Sequence, residues 1–366
     1  MEAAVIKQFN NGRIVRLAAI AAATWLTISP AWAGYVQPGY DLQVVQSEQG
    51  VTHAGISYLT NPTWSISGRN TDVNSSFVIP TCQDIRFARL YLDIWGGNSA
   101  YTSTVTASLN GTPLATVNIN GTGDTNTTFD ATRTCVYGSG AGMWQIGYSG
   151  VSGLLKKDGT PNLLSFQVID PAGRFDGRTV CASLVSVYTD PSVNQALDYY
   201  LAEADGTLRN VPGTNGSPAV RTLALAGINA SNVTSATYIA GYTHGTIGQA
   251  DQLLFNGHLL GSNPNDVALG TTSDYGPNNL PFDVTGYLDG TNTVRYSVAS
   301  ADVGPSGDTY LRANIGLLEV AHPLPEPSTI ALLATGAALL LVRGWKRVVA
   351  SVKRMASGCL PEVSRT

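Results

Sequence analysis

The sequence is poor in the residues that many enzymes use for metal binding and proton transfer. Its 366 residues include only four histidines and four cysteines. The histidines form no HExxH helix and no cysteine–histidine zinc spacing; they are His53, His244, His258 and His322. A G-x-S-x-G elbow, a P-loop and a dinucleotide fingerprint are also missing. These absences argue against metalloproteases, α/β-hydrolases and nucleotide-binding enzymes, and we expect neither an enzyme nor an organic cofactor.

Basic residues are scarce between Gly34 and His322. This segment contains 12 Lys and Arg against 22 Asp and Glu. A surface with that balance repels phosphate backbones. Nucleic acid is therefore not an expected partner.

Long helical patterns are missing from the same segment, where only Ala196 to Asp205 offers a short amphipathic helix. The segment is rich in Gly, Asn, Thr and Ser, and apolar residues alternate in Arg89 to Trp95 and in Leu311 to Leu317. Such alternation predicts antiparallel strands with one buried and one solvent-facing side. In the first of these strands Leu90, Leu92 and Ile94 form the predicted buried side, and Arg89, Tyr91 and Asp93 the solvent side. The fold class is predicted to be all-β.

One pattern occurs twice along the segment. Asn110-Gly111 corresponds to Asn256-Gly257, and the strand that begins at Asn162 corresponds to the one that begins at Asn292. The two copies predict two tandem antiparallel β-sandwiches of jelly-roll type. Their predicted bounds are 34–192 and 219–322, with a Gly- and Pro-rich linker over 193–218. Both Asn-Gly pairs should form equivalent hairpin turns, because these residues tolerate positive φ.

Three of the four cysteines fall in the first predicted sandwich. Cys82 and Cys135 are flanked by turn or polar residues, and they predict a disulfide in an oxidising compartment, with free thiols as the alternative. Cys181 lies within a predicted strand and is expected to be a buried thiol. Cys359 lies beyond the apolar C-terminal segment.

The amino end has the three parts of a secretory signal peptide. A basic leader precedes an uncharged apolar run, and small residues follow at the positions that signal peptidase reads. In order, these parts are Lys7, Arg13 and Arg16, then Leu17 to Ile28, then Ala31 and Ala33. The run is too short for a stable transmembrane helix, which needs about 20 residues. Residues 1–33 are therefore predicted to form a signal helix that signal peptidase removes before Gly34.

The carboxyl end carries a second targeting pattern. Pro325-Glu326-Pro327 precedes an apolar run from Ile330 to Val342. Arg343, Lys346 and Arg347 follow the run. Basic residues just beyond an apolar helix orient that end toward the cytoplasm. The pattern predicts a transmembrane helix within 323–347 and a basic cytoplasmic tail over 348–366 that contacts membrane lipid.

This combination resembles the PEP-CTERM sorting signal, with Pro325, Glu326 and Pro327 as the tripeptide. The resemblance implies export by a Gram-negative bacterium that makes exopolysaccharide, followed by cleavage by a membrane exosortase near the tripeptide. The chain departs from the family pattern because it continues past Arg347 to Thr366. A plain C-terminal anchor is the alternative.

The segment between the two ends is similar to a family of tandem β-sandwich surface proteins from archaeal and bacterial envelopes. Val185 to Pro191 and Asp251 to Gly257 carry the similarity. The resemblance implies the fold. It lends no catalytic residues, because the domain of that family has no assigned function.

Two features are candidate ligand sites. Two loops each place two aspartates six positions apart around a glycine: Asp170 with Asp176, and Asp302 with Asp308. Calcium takes six to eight oxygen ligands, so it is the candidate ion, with plain polar loops as the alternative. Trp95 and Trp144 are candidate sugar-binding rings, with core packing as the alternative.

These patterns together predict an exported protein of the cell envelope or the exopolysaccharide matrix, with a passive structural or adhesive role. Its expected partners are signal peptidase, exosortase and membrane lipid, with extracellular polysaccharide as a further one. A carbohydrate-binding module is the second hypothesis. An extracellular glycan hydrolase is the third, because a carboxylate pair meets in space and leaves no sequence spacing.

Overall fold

The computed structural model describes residues 32–35, 39–63, 70–97, 102–120, 135–137, 141–169, 178–205, 208–209, 220–245, 251–263, 278–297 and 310–324. In chain order the strands are β1 (Trp32–Tyr35), β2 (Gly39–Thr52), β3 (Ala54–Pro62), β4 (Val73–Phe77), β5 (Asp84–Gly97), β6 (Thr102–Leu109), β7 (Thr112–Pro113), β8 (Val117–Asn120), β9 (Cys135–Tyr137), β10 (Ala141–Ser149), β11 (Asn162–Ile169), β12 (Arg178–Thr189), β13 (Ala196–Asp205), β14 (Leu208–Arg209), β15 (Val220–Ala226), β16 (Ser235–Gly245), β17 (Asp251–Phe255), β18 (His258–Asn263), β19 (Asn278–Asp283), β20 (Thr291–Ser297) and β21 (Tyr310–His322). Two 3-10 turns, Ser152–Leu154 and Thr285–Tyr287, complete the regular structure of these residues.

The all-β prediction is confirmed, since the described residues contain strands and 3-10 turns and no α-helix. Accordingly, none of them lies in a helix with the length and hydropathy of a membrane span. The predicted signal helix and the predicted C-terminal helix lie outside the described residues.

The strands form four sheets, and every described strand pair is antiparallel. Sheet I has the order β1-β10-β5-β12-β3, with β9 added to β10, and sheet II has the order β4-β11-β6-β7, with β8 added to β6. Sheet III has the order β19-β16-β21-β13-β2, with β14 added to β21, and sheet IV has the order β15-β20-β17-β18.

The sheets pack in two sandwich-like pairs, each around its own apolar core. The core of the first pair joins sheet I, through Leu90 and Leu92, to sheet II, through Phe166 and Val168. The core of the second pair joins sheets III and IV; it includes Leu318, Val320, Leu253, Phe255 and Val294. Full burial of such a side chain contributes about 1.5–3 kcal/mol, so these two cores are the main stabilising element.

A third apolar layer joins the two pairs. Tyr91 and Val185 of sheet I contact Leu201, Ile315 and Leu317 of sheet III. We call this layer between sheets I and III the seam. Sheets I and III are therefore each covered on both faces.

The sequence placed residues 196–205 in a linker and offered them as a short helix. Both predictions are wrong, because these residues form strand β13. β13 lies inside sheet III, hydrogen bonded to β21 on one side and to β2 on the other. Every residue from 196 to 204 is buried, because one face meets the seam and the other meets the second core. A strand covered on both faces loses the period-two pattern by which strands are recognised.

The predicted first sandwich, 34–192, also needs correction at its amino end. β2 belongs to sheet III, whereas β1 and β3, on either side of it in the chain, belong to sheet I. β2 pairs with β13 from Thr52 opposite Ala196 to Gly39 opposite Asp205. The two halves therefore share main-chain hydrogen bonds.

The prediction of equivalent hairpin turns is confirmed. Asn110 and Gly111 have φ of 50° and 79°, and Asn256 and Gly257 have φ of 50° and 81°. Two consecutive residues with positive φ are typical of type I′ turns, whose twist matches the flanking strands.

Each turn asparagine also makes the same set of hydrogen bonds. Asn110 Nδ2 donates to Leu154 O and to Asn162 Oδ1, both at 2.8 Å. Asn256 Nδ2 donates to Tyr287 O at 2.8 Å and to Asn292 Oδ1 at 2.7 Å. The internal repeat therefore extends to individual side-chain contacts.

Candidate functional site

The seam contains a buried ion pair that joins the two halves. Arg89 of β5 donates from Nη2 to Glu203 Oε2 of β13 at 2.9 Å, and its Nε lies 2.5 Å from Glu203 Oε1. The Tyr91 hydroxyl donates to the same Oε1 at 2.6 Å. Burial, and then the charge of Glu203, raises the pKa of Tyr91, so its hydroxyl remains a donor. Because Glu203 is fully buried, this pair acts as a structural clasp.

A second buried polar cluster surrounds Asp93, which follows Tyr91 by two residues on β5. The Cys181 thiol donates to Asp93 Oδ2 at 3.2 Å, and Gln145 Nε2 donates to the same oxygen at 3.4 Å. Burial, and then the nearby Cys181 and Asp93, raises the pKa of Tyr58 well above its usual range. A thiol beside a carboxylate can serve in catalysis, but Cys181 is fully buried and no substrate reaches it here.

These contacts correct the predicted solvent-facing side of β5. Arg89, Tyr91 and Asp93 point away from the first core, as their alternation with leucine indicated, but the second sheet pair covers them. Tyr91 is 0% exposed and Asp93 is 1% exposed. Sequence reasoning missed Glu203 because its partners come from the other half of the molecule. The expectation that Cys181 is a buried thiol is confirmed.

An open cleft of about 390 Å³ lies where β2, β5 and β12 approach one another. Its lining is Glu48, Gly50, Val51, Thr52, His53, Gln83, Asp84, Arg86, Thr189, Asp190 and Pro191. The cleft is open to solvent, and its lining is largely polar.

The charged groups of the cleft are held by neighbours. Arg86 donates to Glu48, which raises the pKa of the Arg86 guanidinium. Lys157 Nζ lies 2.6 Å from Asp84 Oδ1 and lowers the pKa of that carboxyl. The Ser192 hydroxyl and amide donate to Asp190 and lower its pKa as well. Asp84 and Asp190, whose pKa values are lowered, are therefore ionised at neutral pH and are poor general acids.

Glu319 of β21, which lies outside the cleft lining, is a carboxyl with a pKa near neutrality. It alternates with Ile315 and Leu317 and so lies on the seam side of β21. Burial raises the pKa of Glu319 to about 7. No hydrogen bond or ion pair joins it to another described residue, so nothing offsets its desolvation when it ionises.

The other predicted site residues are only partly covered by the described residues. Within those residues no group of three or more His, Cys, Asp and Glu side chains could hold a metal ion. The four candidate calcium ligands lie outside them: Asp170, Asp176, Asp302 and Asp308. The sorting residues Pro325, Glu326 and Pro327 lie outside them too, as does Ala31.

Trp95, Trp144, Ala33 and Gly34 lie on described strands of sheet I. Trp144 pairs with Ile94, and Met143 pairs with Trp95, so the two tryptophans occupy neighbouring strands near the end of β5 opposite the cleft. Their side chains lie outside the described ones. Ala33 and Gly34 belong to β1, opposite Tyr148 and Gly147.

The predicted Cys82–Cys135 disulfide is wrong, since Cys82 is a buried free thiol. Cys82 precedes β5, which begins at Asp84, whereas Cys135 pairs with Met143 and Met143 pairs with Trp95. At about 3.3 Å per residue, Asp84 and Trp95 lie roughly 36 Å apart along the strand. A disulfide needs Cα atoms within about 7 Å.

Comparison with known proteins gives one family. The profile of a family described as "Protein of unknown function (DUF3344)" matches residues 34–321. Among curated proteins, none gives a significant match.

Solved structures share only a distant likeness with this chain. A peptide-N(4)-(N-acetyl-beta-D-glucosaminyl) asparagine amidase is 12% identical with a TM-score of 0.28, over 74% of this chain and 97% of that one. A Sulfolobus turreted icosahedral virus chain is 15% identical with a TM-score of 0.24, over 81% and 98%. A beta-porphyranase from Bacteroides plebeius is 9% identical with a TM-score of 0.24, over 80% of this chain and 38% of the enzyme.

Proposed function

The chain belongs to the DUF3344 family, and from that premise we propose that it is an exported protein of the cell surface or exopolysaccharide matrix. Its role is structural or adhesive and not catalytic. The two halves act as tandem β-sandwiches, and a PEP-CTERM signal at Pro325-Glu326-Pro327 directs the chain to an exosortase. The family match begins at Gly34, the residue that signal peptidase would leave first, which supports export.

The observation that carries the proposal is the strand that precedes the sorting motif. β21 ends at His322, and Pro325 follows within three residues. β21 lies inside sheet III and is hydrogen bonded to β16 on one side and β13 on the other. A pulling force applied to the C-terminal segment would act along β21. The hydrogen bonds of β21 to β16 and to β13 would resist that force together. Such an attachment suits a protein that is held to a surface.

The buried polar groups support a passive role as well. The clasp of Arg89, Tyr91 and Glu203 and the cluster around Asp93 are sealed between two sheets, so their hydrogen bonds position strands. The charged groups of the cleft are engaged with neighbours. The Cys181 thiol and its Asp93 partner are both buried, so this pair is closed to a substrate.

The sorting step is tested by replacing Pro325, Glu326 and Pro327 with alanine in the organism that encodes the chain. Wild-type protein from the envelope should have lost everything beyond the tripeptide region, and the variant should remain intact in the inner membrane. Intact-mass measurement of each fraction reads this out.

Pro323→Ala is the matched control, because it removes a nearby proline and keeps the tripeptide. It should be processed like the wild type. If envelope-localised wild-type protein still carries Arg343 to Thr366, the sorting proposal is wrong and the segment is a plain anchor.

A further inference from the structure

An exposed pair of stacked rings stands beside the hairpin turn of the second half. The centroids of the His258 and Tyr287 rings are 4.1 Å apart, and the ring planes differ by 10°. Tyr287 is 39% exposed, and His258 is exposed as well. We call His258 and Tyr287 the ring platform. Large apolar side chains exposed together at one place mark an interaction surface more often than isolated ones do.

The backbone holds both rings in place. Tyr287 closes the 3-10 turn, where its amide donates to Val284 O at 2.9 Å and its carbonyl accepts from Asn256 Nδ2 at 2.8 Å. His258 follows the Asn256-Gly257 turn and pairs with Phe255. The fold therefore fixes the backbone positions of both residues, which lowers the entropic cost of binding.

The fold does not require the platform, as the first half shows. Asn110 makes the same hydrogen bond to Leu154 that Asn256 makes to Tyr287. Thr112 follows the first turn where His258 follows the second. The first half thus has the same turn and the same asparagine hydrogen bond, with Thr112 and Leu154 in place of the two rings. The hairpin therefore forms without the ring platform.

The inner faces of the two rings cover each other, so only an outer face of the stack can receive a ligand. We propose that the outer face of the ring platform binds a neutral β-linked polysaccharide through the C–H face of a pyranose ring, with the second ring supporting the first from behind. Sugars with equatorial substituents present a flat apolar face that packs on aromatic rings, while their hydroxyls remain free to bond to polar groups. The site rests on the proposed function, because such a polymer is the matrix in which the protein would stand.

The charge around the platform selects against an acidic polymer. Asp283 and Asp289 flank the turn that carries Tyr287, and both are exposed. Their carboxylates can accept hydrogen bonds from sugar hydroxyls and would repel uronic acids or sulfates. The excess of acidic residues between Gly34 and His322 acts in the same direction.

The test measures binding of cellohexaose and chitohexaose to the full-length protein in detergent by calorimetry. Tyr287→Ala and His258→Ala should each weaken binding by about tenfold or more, and Tyr287→Phe should retain it, because stacking needs the ring and not the hydroxyl. Thr112→Ala, at the equivalent position of the first half, is the matched control and should bind like the wild type. An alginate oligomer should not bind.

Thermal melting of each variant reports whether it is folded. If the wild type binds neither neutral oligosaccharide, or if folded Tyr287→Ala binds as the wild type does, the proposal is wrong. The measurement is made on purified protein and does not depend on sorting. If binding requires Tyr287 while wild-type protein from the envelope still carries Arg343 to Thr366, the sorting proposal is wrong and this site stands.

Discussion

The two halves of the molecule share a frame and differ in what that frame carries. Asn110 and Asn256 occupy equivalent turns and make matching hydrogen bonds. Past the turns the halves diverge, since Thr112 follows one and His258 the other. The shared asparagine hydrogen bonds maintain the hairpin in both halves. The residues that differ between the halves are not needed for the hairpin and can serve binding. Comparison within one chain therefore separates structural residues from candidate functional ones.

The halves also differ in what they contribute to the seam. The first half supplies Arg89 and Tyr91 from β5, and the second supplies Glu203 from β13 with an apolar patch around Leu317. Charge on one side is thus matched by an opposite charge on the other. The seam is consequently specific to this pair of sheets, because neither side could pack on a copy of itself without leaving a buried charge unpaired.

The largest expected effect comes from breaking the clasp between the halves. Arg89→Ala leaves the Glu203 carboxylate fully buried without its cation, and should lower the free energy of unfolding by about 3–5 kcal/mol. Denaturant unfolding followed by intrinsic fluorescence measures the loss.

Arg86→Ala is the control on the same strand. The partner of Arg86 is Glu48, and the pair is largely exposed, so its removal should cost at most about 1 kcal/mol. Equal losses for the two arginines would show that the clasp contributes no more than a surface ion pair.

A smaller effect tests the shared frame. Asn110→Ala and Asn256→Ala should each lower the free energy of unfolding by about 3 kcal/mol. Each change removes three side-chain hydrogen bonds and places alanine at positive φ. The two losses should agree within about 1 kcal/mol if the copies are energetically equivalent.

Asn232→Ala is the matched control for these variants. Asn232 also has positive φ, at 54°, but its side chain makes no hydrogen bond to the described residues. Its loss should be about 1 kcal/mol, the cost of the backbone conformation alone. A loss as large as that of the turn asparagines would mean that their hydrogen bonds contribute nothing.

The smallest effect concerns pH and the second half alone. The pKa of Glu319 is about 7 when folded, against an ordinary value near 4.5. Between these values the folded state binds the extra proton, so the contribution of Glu319 to stability should be highest below about pH 4.5 and fall as pH rises through 7. We expect a loss of about 2 kcal/mol across that range, after allowing for partial exposure. Chemical denaturation at a series of pH values measures it.

Glu319→Gln should remove this part of the pH dependence, because the amide does not titrate. An unchanged slope between pH 4.5 and 7 in the variant would contradict the assignment to Glu319. Asp84 provides the opposite sign within the first half: Lys157 lowers its pKa, so any stability it contributes is lost only as the medium becomes more acidic.

Local sequence patterns predicted the frame well. Asn-Gly between apolar strands is a short-range signal, and the structure places both pairs in the expected turns. The alternation around Leu90 also identified the core side of β5. These features depend only on neighbouring residues, so one sequence is enough to find them.

The seam could not be predicted in the same way. Whether Arg89 faces water or a second sheet depends on tertiary packing, and its alternation with Leu90 looks the same in both cases. β13 was missed because it is buried on both faces. The disulfide prediction failed because it ignored the length of β5, which separates the two cysteines. The ring platform had one sequence signal, the difference between Thr112 and His258 at equivalent positions of the repeat.

The placement of β2 has a consequence for the order of folding. Its pairing with β13 joins residues from 144 positions apart, Thr52 with Ala196, to 166 positions apart, Gly39 with Asp205. Because the chain is synthesised from its amino end, β2 emerges long before β13. Closing so long a loop is slow, and an unpaired strand is prone to wrong partners in the meantime. Sheet III is therefore expected to assemble late, and a strand that appears first is among the last to find its neighbour.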